Sequence, residues 1–129
     1  MRPFLLLCCL VFITGPAANA SATTFEVSIV DDQFVPDSLQ IAVGDSVHWT
    51  NNGAEVHTVT SGDECTADGA FDSGALAPGA DFGHMFTSAG EFYYFCSFHC
   101  AVGMEGEIEV EEETPVKPIT WGRLRSLYH

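Results

Sequence analysis

A cysteine, a histidine and a methionine stand close together near the end of the chain. Cys96, His99 and Met104 lie within one short segment that follows the aromatic run at 91–95. A thiolate, an imidazole and a thioether are soft or borderline ligands that together favour copper, whereas zinc sites seldom contain methionine and calcium and magnesium prefer oxygen. A second histidine, His57, would complete a set of four ligands. The segment therefore predicts a copper site.

His57 can reach this segment only if the chain folds back on itself. The rest of residues 21–113 has the pattern of β-strands, which could do this. Apolar and polar residues alternate in several short runs, and turn signals rich in Gly, Pro, Asn and Asp separate them. The expected strands lie at 25–29, 39–43, 46–50, 57–61, 81–87, 91–96 and 106–112. Short strands with frequent turns predict an all-β fold, an antiparallel sandwich or barrel, without helical periodicity in 21–113.

Charge is distributed unevenly along the chain. Its 129 residues include 18 acidic and 4 basic side chains, which gives a formal net charge of −14. All the carboxylates fall in residues 21–113, and that stretch contains no Lys or Arg. Such a surface repels phosphate backbones and attracts cationic partners. Nucleic-acid binding is therefore excluded, and a basic protein partner is expected.

The N-terminus has the three parts of a secretory signal peptide. Arg2 precedes an apolar run at residues 4–13, and Ala18-Asn19-Ala20 has the small residues of a cleavage site. The apolar run is about half as long as the ~20 residues of a spanning helix. Cleavage after Ala20 is predicted, with export to the periplasm or the extracellular space and no transmembrane segment afterwards.

The chain thus divides into three segments. Residues 1–20 form the cleaved signal peptide, and residues 21–113 form one domain. Residues 114–129 form a linker and a basic tail, because Pro115 and Pro118 cannot extend a central strand. The tail is expected to be disordered, as chain ends usually are unless something holds them.

These residues resemble a known family, the cupredoxins, and most closely its plastocyanin-like group. The spacing of Cys96, His99 and Met104 is the ligand loop of that group, and the resemblance covers about residues 24–112. Four further stretches agree, namely Phe34-x-Pro36, Gly44-Asp45-Ser46-Val47-x-Trp49-x-Asn51-Asn52, Phe71-Asp72-Ser73-Gly74-x-Leu76-x-Pro78-Gly79 and Gly90-x-Phe92-x-Tyr94.

The resemblance implies a Greek-key antiparallel β-sandwich of about seven or eight strands. It also implies one copper ion, bound by ring nitrogens of His57 and His99, by the thiolate of Cys96 and weakly by the thioether of Met104. Such a site suits Cu(I) and Cu(II) about equally. The expected function is that of an exported blue copper protein that shuttles single electrons and is not an enzyme. The other three histidines are expected to be solvated, namely His48, His84 and His129.

The expected electron-transfer surface is the edge of His99 within an apolar patch of Phe98, Ala101 and Val102. The partner would be a basic redox protein, such as a cytochrome or an oxidase subunit, and the carrier itself a monomer. Plant-type plastocyanins commonly have Tyr where this chain has Phe95, which favours the route through His99. A copper-delivery or storage protein is the alternative function.

Cys100 departs from the plastocyanin-like pattern. One hypothesis is a disulfide between Cys65 and Cys100, which an exported protein permits and which leaves Cys96 as the ligand thiolate. The other is a binuclear copper domain that uses both Cys96 and Cys100, although that family also needs a His at the position of Met104. Both hypotheses account for a second cysteine beside His99.

Overall fold

The computed structural model describes residues 21–113, so the predicted signal peptide and the tail 114–129 lie outside the described residues. Short alternating segments between turns form nine strands. They are β1 (Thr24–Val30), β2 (Gln33–Val35), β3 (Ser38–Ala42), β4 (Ser46–Asn51), β5 (Thr60–Asp63), β6 (Thr66–Asp72), β7 (Asp81–Met85), β8 (Gly90–Phe95) and β9 (Glu105–Glu111). The only helix of the described residues is a 3₁₀ turn at Cys100–Val102. No helix in 21–113 is long and apolar enough to cross a membrane.

The strands form two sheets, which confirms the predicted all-β sandwich. One sheet has the order β2-β1-β4-β7 and the other has the order β3-β9-β8-β5-β6. Each sheet also contains one parallel pair, β1 with β4 and β3 with β9, which the antiparallel prediction did not include. The chain passes from β2 to β3 in the opposite sheet before it returns as β4, and this crossover makes β1 and β4 parallel.

The core lies between the sheets and is centred on Trp49. This side chain is fully buried, and its ring packs 5.4 Å from Tyr94 and 5.9 Å from both Phe71 and Phe82, measured between ring centroids. The inward residues of the predicted alternating strands also belong to the core, namely Val27, Ile29, Ile41, Val47, Ile108 and Val110. A rigid, aromatic-rich core therefore supports the loops at the end of the sandwich.

Three strands differ from the predicted pattern. Strand β2 was not predicted, because it has only three residues and Phe34 is its one buried side chain. The expected strand at 57–61 begins only at Thr60, because His57 makes a single bridge to Leu76 instead of joining a sheet. Strand β6 was not predicted, since all of its side chains except that of Phe71 are exposed and its sequence has no apolar alternation. The late start of β5 leaves His57, a predicted ligand, outside regular strand pairing.

Candidate metal centre

The predicted ligand loop connects β8 to β9 and is closed by its own backbone. The N–H of Cys96 donates to the carbonyl of Met104 at 3.1 Å, and the N–H of Met104 donates to the carbonyl of His99 at 3.3 Å. The N–H of His99 in turn donates to the carbonyl of Cys96 at 3.2 Å. Three residues of the predicted ligand set are thus held in one compact loop between two paired strands.

His57 reaches this loop from a different part of the chain. Its backbone exchanges two hydrogen bonds with Leu76, at 2.7 and 3.1 Å. The buried amide of Asn51 donates to the carbonyl of Leu76 at 2.9 Å and to that of Glu55 at 2.7 Å. Asn51 therefore ties the segment before His57 to the segment that pairs with it. Asn51 belongs to one of the stretches that carry the family resemblance, but the sequence did not indicate these two contacts.

The structure brings three of the four predicted ligands into contact distance. The Nδ1 atom of His57 lies 3.8 Å from Cys96 Sγ, and the Nδ1 atom of His99 lies 3.5 Å from it. The potential ligand atoms of these three residues all lie within 4.8 Å of one another. His57, Cys96 and Met104 are fully buried, whereas the His99 side chain is 22% exposed. Only one ring of the cluster therefore reaches solvent.

Cys96 Sγ also accepts a hydrogen bond from the protein backbone. The N–H of Thr58 points at this sulfur at 3.4 Å, and the hydroxyl of Thr58 accepts the N–H of Ser97 at 2.8 Å. Hydrogen bonds to the cysteine sulfur are one means by which a protein sets the potential of a copper–thiolate site. Sequence reasoning did not find Thr58, because a backbone donor has no sequence signal.

Carboxylates contact the rings of His57 and His99 at Nε2, the nitrogen that faces away from Cys96. Glu55 Oε2 is 3.1 Å from His99 Nε2, and Asp32 Oδ1 is 4.0 Å from the same nitrogen. Asp31 Oδ1 is 3.5 Å from His57 Nε2, a longer contact. We call Asp31, Asp32 and Glu55 the acidic collar. The sequence did not predict the acidic collar, since its residues come from two separate turns and only the fold brings them to the histidines.

Asp31 organises the collar through the backbone of the neighbouring turn. Its Oδ1 accepts the N–H of Ala54 at 2.9 Å and that of Glu55 at 3.3 Å. The hydrogen bond from Ala54 is the main reason that the pKa of Asp31 is lowered. A Cβ atom on Gly53 would collide with the Asp31 carboxylate, so glycine permits this close approach.

The two remaining cysteines of the described residues are bonded to each other. A disulfide joins Cys65, in the turn between β5 and β6, to Cys100, which directly follows His99. The disulfide hypothesis is therefore confirmed. The binuclear alternative was wrong, because Cys100 has no thiolate to offer and Cys96 is the free cysteine of the described residues.

The predicted apolar patch is exposed around the ligand loop. Phe98 is 59% exposed and Val102 is 70% exposed, and Ala101 is exposed between them in the sequence. Val56, next to His57 in the chain, is also exposed and was not predicted. Exposed apolar side chains next to ligand histidines in the chain are typical of a protein contact surface.

Of the other two histidines of the described residues, His48 faces outward as predicted, whereas His84 is partly buried and was wrongly predicted to be solvated. His48 lies on the outer face of β4, where Glu26 and Asp81 contact its two ring nitrogens at 2.7 and 2.6 Å. His84 packs 4.7 Å from Phe71 and 4.8 Å from Phe86, and this burial lowers its pKa. Alternation placed His48 correctly but said nothing of its partners. His129 lies outside the described residues.

The donor set fits a copper ion. Two imidazole nitrogens converge on one thiol sulfur in a buried cluster, and the loop that carries two of them also carries a buried methionine. This combination of nitrogen and soft sulfur donors favours copper over the hard cations. The buried position also limits access of water to the cluster.

Comparisons with known proteins agree with this chemistry. The sequence profile of the plastocyanin/azurin family of copper-binding proteins matches residues 22–111. Chloroplastic plastocyanin of Tetradesmus obliquus is 32% identical over 111 residues, which cover 78% of this chain and 77% of that protein. Chloroplastic plastocyanin of Chlamydomonas reinhardtii is 32% identical over 105 residues, which cover 74% of this chain and 70% of that protein.

Solved structures show the same fold. A purple cupredoxin from Nitrosopumilus maritimus superposes with a TM-score of 0.62 at 29% identity, covering 67% of this chain and 99% of that chain. A reduced variant of amicyanin gives a TM-score of 0.60 at 26% identity, covering 73% of this chain and 88% of that chain. The region matched by the family profile includes all nine strands and the whole ligand loop.

Proposed function

Because the chain belongs to the plastocyanin/azurin family of copper-binding proteins, we propose that it carries single electrons between redox partners and catalyses no reaction. A bound copper ion would supply the one-electron chemistry by alternating between Cu(I) and Cu(II). One observation carries the proposal: Nδ1 atoms of two histidines lie 3.5 and 3.8 Å from the sulfur of a buried free cysteine.

Each residue of the site has a distinct role in this proposal. His57 and His99 would hold the metal through Nδ1, Cys96 would hold it through its thiolate, and Met104 would add a weakly bound thioether. The backbone bonds within the loop and the pairing of β8 with β9 keep these residues in place. Because a rigid site changes little between oxidation states, it favours rapid electron exchange over substrate chemistry.

Electrons would pass at the edge of His99, the partly exposed member of the cluster. Phe98, Ala101 and Val102 surround this position in the ligand loop and offer an apolar contact for a partner. Small electron-transfer interfaces bury little area, which suits short-lived complexes. Phe95 is buried and has no hydroxyl, so the residue before Cys96 does not offer the tyrosine of a second route.

The partner would be a basic redox protein, such as a cytochrome or an oxidase subunit, and the carrier a monomer. The described residues carry no Lys or Arg to oppose their carboxylates, and the acidic collar lies directly at the proposed exit. Opposite charges on two partners raise the rate of encounter, and salt screens the attraction. Association with a cationic cytochrome as probe should therefore slow as ionic strength rises.

We also propose that the protein acts outside the cytoplasm after cleavage following Ala20. The signal-peptide pattern of residues 1–20 supports this location, and so does the Cys65–Cys100 disulfide, since such bonds persist in oxidising compartments. Residues 21–113 would be the copper domain, and residues 114–129 a linker and basic tail outside the described residues.

Spectroelectrochemistry of the copper-loaded protein tests the proposed function. A carrier should have intense visible absorption and should complete repeated one-electron cycles with its copper retained. A copper-delivery protein should instead release metal to a chelator on each reduction, and that result would reject electron transfer as the function. Cys96→Ser is the matched variant, since it removes the thiolate while changing little volume.

A further inference from the structure

Glu55 contacts the ring nitrogen of His99 that faces away from Cys96. Its Oε2 lies 3.1 Å from His99 Nε2, whereas Nδ1 of the same ring lies 3.5 Å from Cys96 Sγ. We propose that Glu55 is a positioning residue, which accepts the Nε2–H of His99, directs the Nδ1 lone pair toward the metal and favours Cu(II). The inference rests on the proposed function, because it concerns the same copper site.

The backbone of Glu55 is fixed on both sides of its side chain. Its N–H donates to Asp31 Oδ1 at 3.3 Å, and its carbonyl accepts the Asn51 amide at 2.7 Å. The adjacent turn closes on the same aspartate, since Ala54 donates to it at 2.9 Å. These bonds fix the backbone from which the Glu55 side chain extends. The contact with His99 therefore costs only side-chain conformational entropy.

The difference in burial between the two histidines explains why His99 needs this contact. His57 is fully buried, and surrounding protein atoms hold its ring. His99 has an exposed edge, so its ring lacks packing on one side. A ligand ring that turned between oxidation states would slow electron exchange. The carboxylate of Glu55 holds the exposed edge while the neighbouring Phe98 and Val102 remain available to a partner.

A neutral imidazole carries its proton on one nitrogen and its lone pair on the other. An acceptor at Nε2 therefore selects the form that can bind a metal through Nδ1. A carboxylate partner also makes the ring a stronger donor, and loss of such contacts typically reduces metal affinity by about 10- to 100-fold. Its negative charge favours the more positive copper ion. Glu55 should thus lower the reduction potential.

Glu55→Ala and Glu55→Gln separate the hydrogen bond from the charge. Alanine removes both, whereas glutamine keeps an acceptor oxygen without the charge. Glu112→Gln is the matched control, because Glu112 is exposed and lies beyond the far end of β9, roughly 20 Å from Glu105 at the strand rise of about 3.3 Å per residue. Glu55 is itself 58% exposed, so its replacement should not disturb the core.

Two measurements test the proposal. Nitrogen NMR of the neutral ring in copper-free protein at alkaline pH should show the Nε2–H form of His99 in wild type and Glu55→Gln, and a mixture in Glu55→Ala. The reduction potential should rise in both Glu55 variants. A tenfold greater loss of affinity for Cu(II) than for Cu(I) corresponds to about 59 mV for one electron.

The proposal is overturned if Glu55→Ala keeps the wild-type ring form and neither Glu55 variant shifts the potential more than Glu112→Gln does. It is also overturned if the potential falls. Amide spectra of the variants show that the fold is retained. A wild-type protein without reversible copper cycling would reject the proposed function instead, and NMR of the copper-free protein would still decide whether Glu55 positions His99.

Discussion

His48 and His99 both contact carboxylates, yet their surroundings suit opposite tasks. Both ring nitrogens of His48 are occupied by carboxylates, Glu26 at 2.7 Å and Asp81 at 2.6 Å. His99 has a carboxylate at one nitrogen and the Cys96 sulfur at the other. Two acceptors favour the protonated, cationic ring, whereas one acceptor leaves a lone pair for a metal.

A carboxylate contact alone therefore does not decide the role of a histidine. The group at the second ring nitrogen and the element that carries the histidine decide it as well. His48 joins the strands of a sheet, since Glu26 is on β1 and Asp81 is on β7. His99 lies in a loop, where strand pairing does not dictate its neighbours. Replacement of His48 should therefore change the stability of the fold but not the affinity for copper. Replacement of His99 should change the affinity for copper but not the stability.

The largest expected effect comes from replacing a ligand histidine. His57→Gln should lower Cu(II) affinity by more than the roughly 100-fold that loss of an outer contact costs, because a direct donor is removed. His48→Gln is the control and should leave the affinity within about twofold of wild type, since His48 contacts Glu26 and Asp81 and neither is a proposed ligand. Competition with a copper chelator measures both. Equal losses in the two variants would break the comparison.

Removal of the disulfide should affect stability more than the metal. The bond between Cys65 and Cys100 spans 35 residues, and the chain-entropy relation assigns to it about 4 kcal/mol at most. The double variant Cys65→Ala/Cys100→Ala should lose up to that amount in urea denaturation at fixed pH. It should still bind copper, because neither cysteine is a proposed ligand. Loss of copper binding in a folded double variant would contradict this assignment.

A smaller effect is expected from the titration of His48. Its hydrogen bond with Asp81, then that with Glu26, raises the pKa of the ring above 6.5 in the folded state. The resulting stabilisation is fully present below about pH 6.5 and is lost as pH rises through the folded pKa. The unfolding free energy of wild type should thus decline over this window relative to that of His48→Gln. Parallel pH profiles would show that the cluster contributes nothing.

The smallest effect is expected at His84, with the opposite sign. Burial against aromatic rings lowers its pKa below 6.5, so the unfolded chain binds the proton more readily. Stability should therefore fall as pH drops below about 6.5, and His84→Phe should reduce this loss. Denaturant titrations at a series of mildly acidic pH values compare the two proteins. An unchanged acid slope in His84→Phe would mean that folding does not change the pKa of His84.

Sequence reasoning succeeded where local pattern and fold coincide. Alternation identified β1, β4 and β9, because Val27, Trp49 and Ile108 must all face one core. The family resemblance stated from the ligand loop is confirmed by the profile match over residues 22–111. The Cys65–Cys100 disulfide was one of two open hypotheses, and only the fold decides between them.

The remaining features depend on contacts between distant segments. Strand β6 has almost no buried side chain to mark it, and it pairs through its backbone with β5. Glu55 and Asp31 meet the histidines only because two turns converge. The periodicity of a single sequence does not predict contacts between turns that are distant along the chain. The ligand types were therefore predictable, while the groups that orient them were not.

Paramagnetic resonance and visible spectra of the Cu(II) protein test the central claim most directly, with Cys96→Ser and Cys100→Ser alongside wild type. The account predicts the signal of a single copper ion with intense visible absorption, retained in Cys100→Ser and abolished in Cys96→Ser. A mixed-valence signal from two coupled copper ions, or visible absorption that survives Cys96→Ser, would contradict it.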